Sequence, residues 1–221
     1  MAIKYQMLDD ETIAAIPLEA IQTDGLLFMW VINCKFTVAM RMISNWGYKW
    51  GRRREISGRL VGDIAWVKLR PKGFVAQGNG FYLQHAKETC FVAQKGKCSH
   101  IDSNRLGTIS DVILSKRKGQ SQKPEEIYEV IERLVPNGFY CEIFGRLNNL
   151  RNDWVTIGNE ISTVCLKSGA CSVTFFLKEF TFIGGYFVFI KPADQRNMRD
   201  IADEYNSVQD EHVFTPIYSY L

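Results

Sequence analysis

The chain has 221 residues and a mass of 25.4 kDa, enough to bury a core without disulfide or metal staples. A hydrophobic fraction of 46% beside 23% charged residues excludes wholesale disorder. The formal net charge is only +3, but residues 1–40 sum to −3, residues 41–123 to +12 and residues 124–221 to −6. A basic middle of this kind is the electrostatic footprint of a phosphate-binding surface, and a merely solubilising surface is the competing reading.

Asp9-Asp10-Glu11 opens a short amphipathic helix through Ile16, which Pro17 stops. Asp24-Gly25 is a turn, and Leu26–Ile32 is an unbroken apolar run of seven, the pattern of a strand buried on both faces. Phe36, Ala39, Met40, Ile43 and Trp46 then recur at helical spacing until Gly47 ends the helix. Asp63–Leu69 and Thr89–Gln94 read as strands, with a long Gly-rich polar loop over 70–88 between them. Asp111–Leu114 is a further short strand.

Pro124 sits in the first turn of a helix, with Glu125 and Glu126 favouring its dipole. Ile127, Val130, Ile131 and Leu134 make its apolar face, and Pro136-Asn137-Gly138 stops it. Phe139–Phe144 and Trp154–Ile157 are the next strands. Buried strands alternating with helices predict an α/β fold with a mostly parallel sheet and ligands at the carboxyl ends of its strands. Beyond Glu160, Val173–Leu177 and Phe180–Ile190 are strand-like, with Gly184-Gly185 as a hairpin turn. Ala193–Asn206 is a weak helix candidate.

The six cysteines (Cys34, Cys90, Cys98, Cys141, Cys165 and Cys171) form no CxxC pair, and no signal peptide precedes them, so free thiols in a reducing compartment are expected. Cys98 and His100 lack a second ligand pair, so no metal site is expected. Val173–Ile190 is the most apolar stretch, but Lys178, Glu179 and the glycine pair interrupt it, so no membrane span is expected.

Four groups of residues, taken in order, carry a resemblance. The first is Asp24-Gly25-Leu26-Leu27-Phe28-Met29-Trp30-Val31. The second is Asn45-Trp46-Gly47-Tyr48 followed by Ile64-Ala65-Trp66-Val67-Lys68. The third is His85-Ala86-Lys87-Glu88-Thr89-Cys90. The last runs from Lys123-Pro124-Glu125-Glu126-Ile127-Tyr128 through Ile131-Glu132-Arg133-Leu134 and Phe144-Gly145-Arg146 to Trp154-Val155-Thr156-Ile157-Gly158-Asn159. In this order and spacing, over residues 5–160, the sequence resembles the MT-A70 family of N6-adenine methyltransferases of RNA and, in some members, DNA.

The resemblance implies a Rossmann-like methyltransferase sheet with helices on both faces over residues 1–160, followed by a C-terminal extension over 161–221. It implies S-adenosylmethionine as cofactor. Glu142, Phe144, Arg146, Asn149 and Asn159 fall on family positions that contact it, and Lys87 matches a lysine at the active-site rim. The chemistry of these side chains is consistent: a carboxylate at a strand end accepts ribose hydroxyls, and carboxamides pair with adenine edges or the amino-acid moiety. A loop salt-bridge network inherited with the fold is the competing reading for Glu142, Arg146 and Asn159.

The family's catalytic Asp-Pro-Pro-Trp motif holds the target amino group and the flipped base. It has no counterpart among the 221 residues, which contain no Pro-Pro pair. In the family the motif lies just before the segment matched by Met7–Glu11, so Asp9 and Asp10 are helix N-terminal acids rather than catalytic groups. Asn148 stands where active members commonly have His, and Glu160 where they have Gln. The expectation is an N-terminally truncated, catalytically silent accessory member. Its sheet would be exposed where a core strand is missing, and the Val173–Ile190 segment is expected to pair there.

The stretch from Trp50 to Arg59 has no family counterpart and carries Arg52, Arg53, Arg54 and Arg59 beside Trp50. Guanidinium groups grip phosphates bidentately and an indole stacks on an unpaired base. Lys68, Arg70 and Lys72 add to that charge, as do Lys116, Arg117 and Lys118. The segment also reads as a nuclear-import signal or a solubilising loop, and a nuclear location is expected.

These features point to a subunit with no catalytic residues of its own. It would pair as a heterodimer with a catalytic MT-A70 paralogue, in the family's manner through the loop at 69–88, and contribute to RNA or DNA binding. An active S-adenosylmethionine-dependent N6-adenine methyltransferase and a stand-alone nucleic-acid-binding module remain as alternatives.

Overall fold

The computed structural model describes residues 8–48, 59–98, 101–119 and 121–158, together with the backbone strands at 176–177, 186–190 and 214–215. The stretch from Trp50 to Arg54, Asn159, the glycine pair at 184–185 and the helix expected over 193–206 lie outside the described residues.

Seven strands form one sheet. They are β1 (Gly25–Val31), β2 (Arg59–Leu69), β3 (Lys87–Lys95), β4 (Val112–Lys116), β5 (Phe139–Ile143), β6 (Trp154–Ile157) and β8 (Tyr186–Ile190), in the order β4-β2-β3-β1-β8-β5-β6. A separate short pair joins β7 (Phe176–Leu177) to β9 (Phe214–Thr215). β2 with β4 and β5 with β6 are parallel, while β3 and β8 run antiparallel to both of their neighbours. The expected mostly parallel sheet is therefore a mixed one. β1, β2, β4, β5 and β6 point the same way, and two reversed strands separate β2 from β1 and β1 from β5. All five carboxyl ends share one edge of the sheet with the starts of β3 and β8.

Every residue of β1 is buried, because it lies in the sheet interior with layers on both faces. Leu27, Met29 and Val31 pack toward α1 (Asp10–Ala14), α2 (Leu18–Ile21) and α3 (Phe36–Asn45). Leu26, Phe28 and Trp30 pack on the other face with α4 (Glu126–Leu134). The α/β sandwich with helices on both faces thus follows from a two-residue alternation hidden inside a uniform apolar run. β8 pairs with Leu27–Met29 on one side and with all of β5 on the other, so the late segment does enter the sheet interior.

Local chemistry fixes the helices. Asp9 Oδ1 accepts the Thr12 amide at 2.7 Å as the α1 N-cap, and that bond holds the Asp9 carboxyl below its usual range. α1 ends at Ala14 rather than Ile16, and a fresh turn, α2, starts directly after Pro17. Trp46 Nε1 donates to the Ala14 carbonyl at 3.0 Å, tying α3 to α1. Gly47 (φ +84°) supplies the left-handed residue that ends α3. No described helix is long and apolar enough to cross a membrane.

Candidate functional site

The candidate residues divide between two ends of the carboxyl edge. At one end, β5 and β6 pair in parallel with Glu142 opposite Thr156. Glu142 is 3% exposed, and its Oε2 accepts the Tyr128 hydroxyl of α4 at 2.9 Å. Asn149 Nδ2 donates to the same hydroxyl at 2.7 Å, and Asn149 Oδ1 accepts the Arg146 amide at 3.0 Å. Burial pushes the Glu142 carboxyl up to about 8, against the opposing pull of the Tyr128 bond and the Arg151 charge. Glu142 is therefore mostly protonated at neutral pH in the folded chain.

Tyr128 is held on every side. The Arg151 guanidinium lies 4.2 Å from its ring centroid, and Trp154 meets it edge-on at 4.9 Å. Trp154 in turn stacks on Tyr140 at 4.8 Å and donates from Nε1 to Glu132 at 2.8 Å.

Phe144 (φ +67°) begins the turn that leads from β5 over the end of β6. Gly145 donates to the Ile157 carbonyl at 2.9 Å, and a Cβ at Gly158 would lie 1.9 Å from the Gly145 carbonyl oxygen. Only a glycine fits that crossing. The structure thus brings Glu142, Phe144, Arg146 and Asn149 together. It adds Tyr128 and Arg151, which sequence reading missed. Tyr128 was visible only as a helix residue whose hydroxyl had no stated destination.

At the other end, the parallel register sets Lys68 opposite Ser115 and Leu69 opposite Lys116. This places Lys68, Arg70 and Lys72 beside Lys116, Arg117 and Lys118, two clusters that the sequence keeps more than forty residues apart. They are not equivalent. Lys68 pairs with Glu88 at 2.6 Å, and Lys118 with Glu125 at 2.5 Å. Arg70, Lys72, Lys116 and Arg117 are exposed and form no ion pair among the described residues. Arg59 starts β2 at its far end, away from this cluster.

Lys87 is exposed at the start of β3, on the same edge, and donates to Thr89 Oγ1 at 3.0 Å. It is three strands from β5, about 14 Å at ~4.8 Å per strand, and so is not part of the Glu142 cluster. The two ends are about 19 Å apart by the same spacing, from β2 to β5.

Between them lies a second cluster missed in sequence. Glu88 receives Lys68 on one oxygen and Lys123 on the other at 2.5 Å. Burial pushes the Glu88 carboxyl up, but the two ammonium groups outweigh it and hold it below its usual range. The same lysines lie over indole faces, Lys68 at 5.2 Å from Trp66 and Lys123 at 5.5 Å from Trp30. Alternating signs at positions 68, 88 and 123 were on the page of the sequence, but nothing local joined them. Among the described residues no group of three potential metal ligands occurs.

The loop between β2 and β3 projects from this edge. Its tip is apolar yet open to solvent, with Phe81 92%, Tyr82 91% and Leu83 80% exposed. Phe81 and Tyr82 meet edge to face at 4.8 Å.

Comparison with known proteins gives one family. The MT-A70 family model matches residues 1–160. An N(6)-adenosine-methyltransferase MT-A70-like protein of Drosophila melanogaster is 33% identical over 168 residues, covering 75% of this chain and 26% of that protein. The human N(6)-adenosine-methyltransferase catalytic subunit METTL3 is 32% identical over 168 residues, covering 75% of this chain and 27% of its own. The non-catalytic subunit METTL14 of Drosophila melanogaster is 27% identical over 154 residues, covering 62% of this chain and 34% of its own. The chain spans about a quarter to a third of the length of these relatives.

Proposed function

The chain belongs to the MT-A70 family of methyltransferases, and from that premise we propose that it is a non-catalytic subunit of an N6-adenine methyltransferase complex. It supports an active paralogue in a heterodimer and lends a basic edge to RNA or DNA. The observation that carries this reading is the loop tip. Three large apolar side chains in a row, each at least 80% exposed, are stable in water only at a cost that a partner surface removes. In this reading the transfer is performed by a partner that carries Asp-Pro-Pro-Trp. Arg70 and Lys72 in the base of that loop, and Lys116 and Arg117 on the neighbouring strand's end, would bind phosphates independently of sequence.

The β5–β6 end fits a nucleoside cofactor by its donor set. It offers a carboxyl (Glu142), a carboxamide (Asn149) and a guanidinium (Arg146). Thr156 Oγ1 lies opposite, buried and without a hydrogen-bond partner among the described residues. S-adenosylmethionine supplies, when bound, an electrophilic methyl group. In this chain Glu142 and Asn149 would hold its ribose and adenine, and Tyr128 keeps both side chains in place.

The test is co-purification of the full chain with an Asp-Pro-Pro-Trp paralogue, with and without Phe81→Ser, Tyr82→Ser and Leu83→Ser together. A stable complex that the triple variant loses supports the reading; no complex with the unaltered chain overturns it. A second reading, an active methyltransferase, is favoured by the greater identity to a relative named as catalytic, 32% against 27%. Methylation of adenine by the purified chain alone, above background, would establish it.

A further inference from the structure

β4 ends the seven-stranded sheet, and among the described residues no strand pairs with its outer side. Ala65 donates to the Asp111 carbonyl at 2.8 Å, and the parallel register with β2 runs from Ala65↔Val112 to Leu69↔Lys116. Strand alternation then turns the backbone groups of Ile113 and Ser115 toward β2, and those of Val112, Leu114 and Lys116 outward. Of these outward amides, Val112 alone has a described partner, Ser110 Oγ at 3.0 Å. The side chains on that register are open as well, Val112 at 43% and Leu114 at 62% exposure. Beside them runs a groove of about 220 Å³ between β4 and the flank of α4 that carries Glu126, Glu129, Val130 and Arg133.

We propose that this edge is a homodimerisation surface, on which a second copy of the chain adds its own β4 antiparallel, centred on Leu114. The charges select both the partner and the register. A twofold axis at Leu114 sets Leu114 opposite Leu114, Val112 opposite Lys116, and Asp111 opposite Arg117 of the other copy. Leu114, Val112 and Lys116 are the residues whose N–H and C=O point outward, so they form the hydrogen-bonded pairs of an antiparallel ladder. Centring on Ser115 instead would crowd Lys116 and Arg117 of both copies about the axis. Centring on Ile113 would leave Asp111 opposite Ser115 and Arg117 opposite Ile109, with no charge matched.

The helix layer repeats the pattern. The same axis runs the two α4 helices antiparallel, and their facing flanks read Glu126, Glu129, Val130, Arg133 from one end to the other. Glu126 at one end and Arg133 at the other face each other in an antiparallel copy, with Glu129 and Val130 nearer the axis. Strand and helix, thirteen residues apart between Leu114 and Ile127, therefore both set acid against base at their ends about one axis.

The test is sedimentation velocity of the full chain from about 5 to about 500 μM, the range in which a small interface of this kind associates. The expected result is a monomer–dimer equilibrium. Arg117→Asp sets Asp opposite Asp at both symmetry-related positions and weakens the dimer about tenfold. Asp111→Arg does the same with Arg opposite Arg. Combining Asp111→Arg with Arg117→Asp restores the wild-type constant. Both residues are exposed, so the fold of the monomer is unchanged. Amide exchange at Leu114 and Lys116 slows as concentration rises. A chain that stays monomeric throughout overturns the proposal. So does a dimer that ignores the single reversals, or one that the double exchange fails to restore.

Discussion

At the β5–β6 end of the carboxyl edge Glu142 and Tyr128 are buried and bonded to each other, whereas at the β4–β2 end Arg70, Lys72, Lys116 and Arg117 stand in solvent. Glu142 sits beneath Tyr128, Asn149 and Arg151, and burial alone moves its proton affinity by a large step. The same edge therefore offers one site built for shape and hydrogen bonding and another built for unspecific electrostatic grip. Mutations at the first are expected to register in stability and at the second in salt dependence.

The largest effect is expected from Trp154→Ala. Trp154 is 3% exposed and supports both Tyr140 and Tyr128, so its loss leaves a cavity under the Glu142 network. Destabilisation of ~3–5 kcal/mol is expected in urea unfolding; a change below ~1 kcal/mol would mean that the network does not rest on this ring.

The next effect is a pH dependence with a definite sign. Glu142 holds its proton in the folded chain up to about 8, against 4.5 for the free group. The unfolded chain binds fewer protons in that window, so stability is greatest below about 4.5 and falls as pH rises to about 8. Glu142→Gln should remove that slope, with a gain over the wild type of ~2–4 kcal/mol between pH 5 and pH 9. Parallel unfolding curves for the two proteins at both pH values would show that Glu142 is ionised in the fold.

Tyr128→Phe is smaller. It removes one hydroxyl and leaves Glu142 Oε2 and Asn149 Nδ2 without that partner, at ~1–3 kcal/mol. It also removes a bond that lowers the Glu142 carboxyl, so the downward limb of stability should shift to higher pH. A loss of stability with no shift of that limb would assign Tyr128 to packing alone.

Lys72→Ala should be nearly silent in stability, within ~0.5 kcal/mol. In binding to RNA or DNA it should weaken affinity evenly across sequences and lower the slope of log K against log salt by about 1. An unchanged slope would move the phosphate surface away from this edge.

Much of this was legible in the chain. The apolar run from Leu26 marked the central strand because a strand covered on both faces has no polar position to alternate with. The helix at α4 was visible in the spacing of Ile127, Val130, Ile131 and Leu134 and in the acids at its start. Glu142 and Asn149 were nominated through the family pattern, and the structure brings their side chains to one hydroxyl. Lys87 carried the same nomination, yet it stands three strands from them.

What the sequence by itself determined is therefore the set of local elements, the family and the basic middle, because periodicity, caps and charge runs are properties of neighbouring residues. Tertiary structure alone decided the reversal of β3 and β8, the meeting of Lys68–Lys72 with Lys116–Lys118, and the closure of Tyr128 over Glu142. Each depends on which strands pair across long loops. That choice is made by burial of whole faces and satisfaction of backbone groups, not by any short stretch of chain.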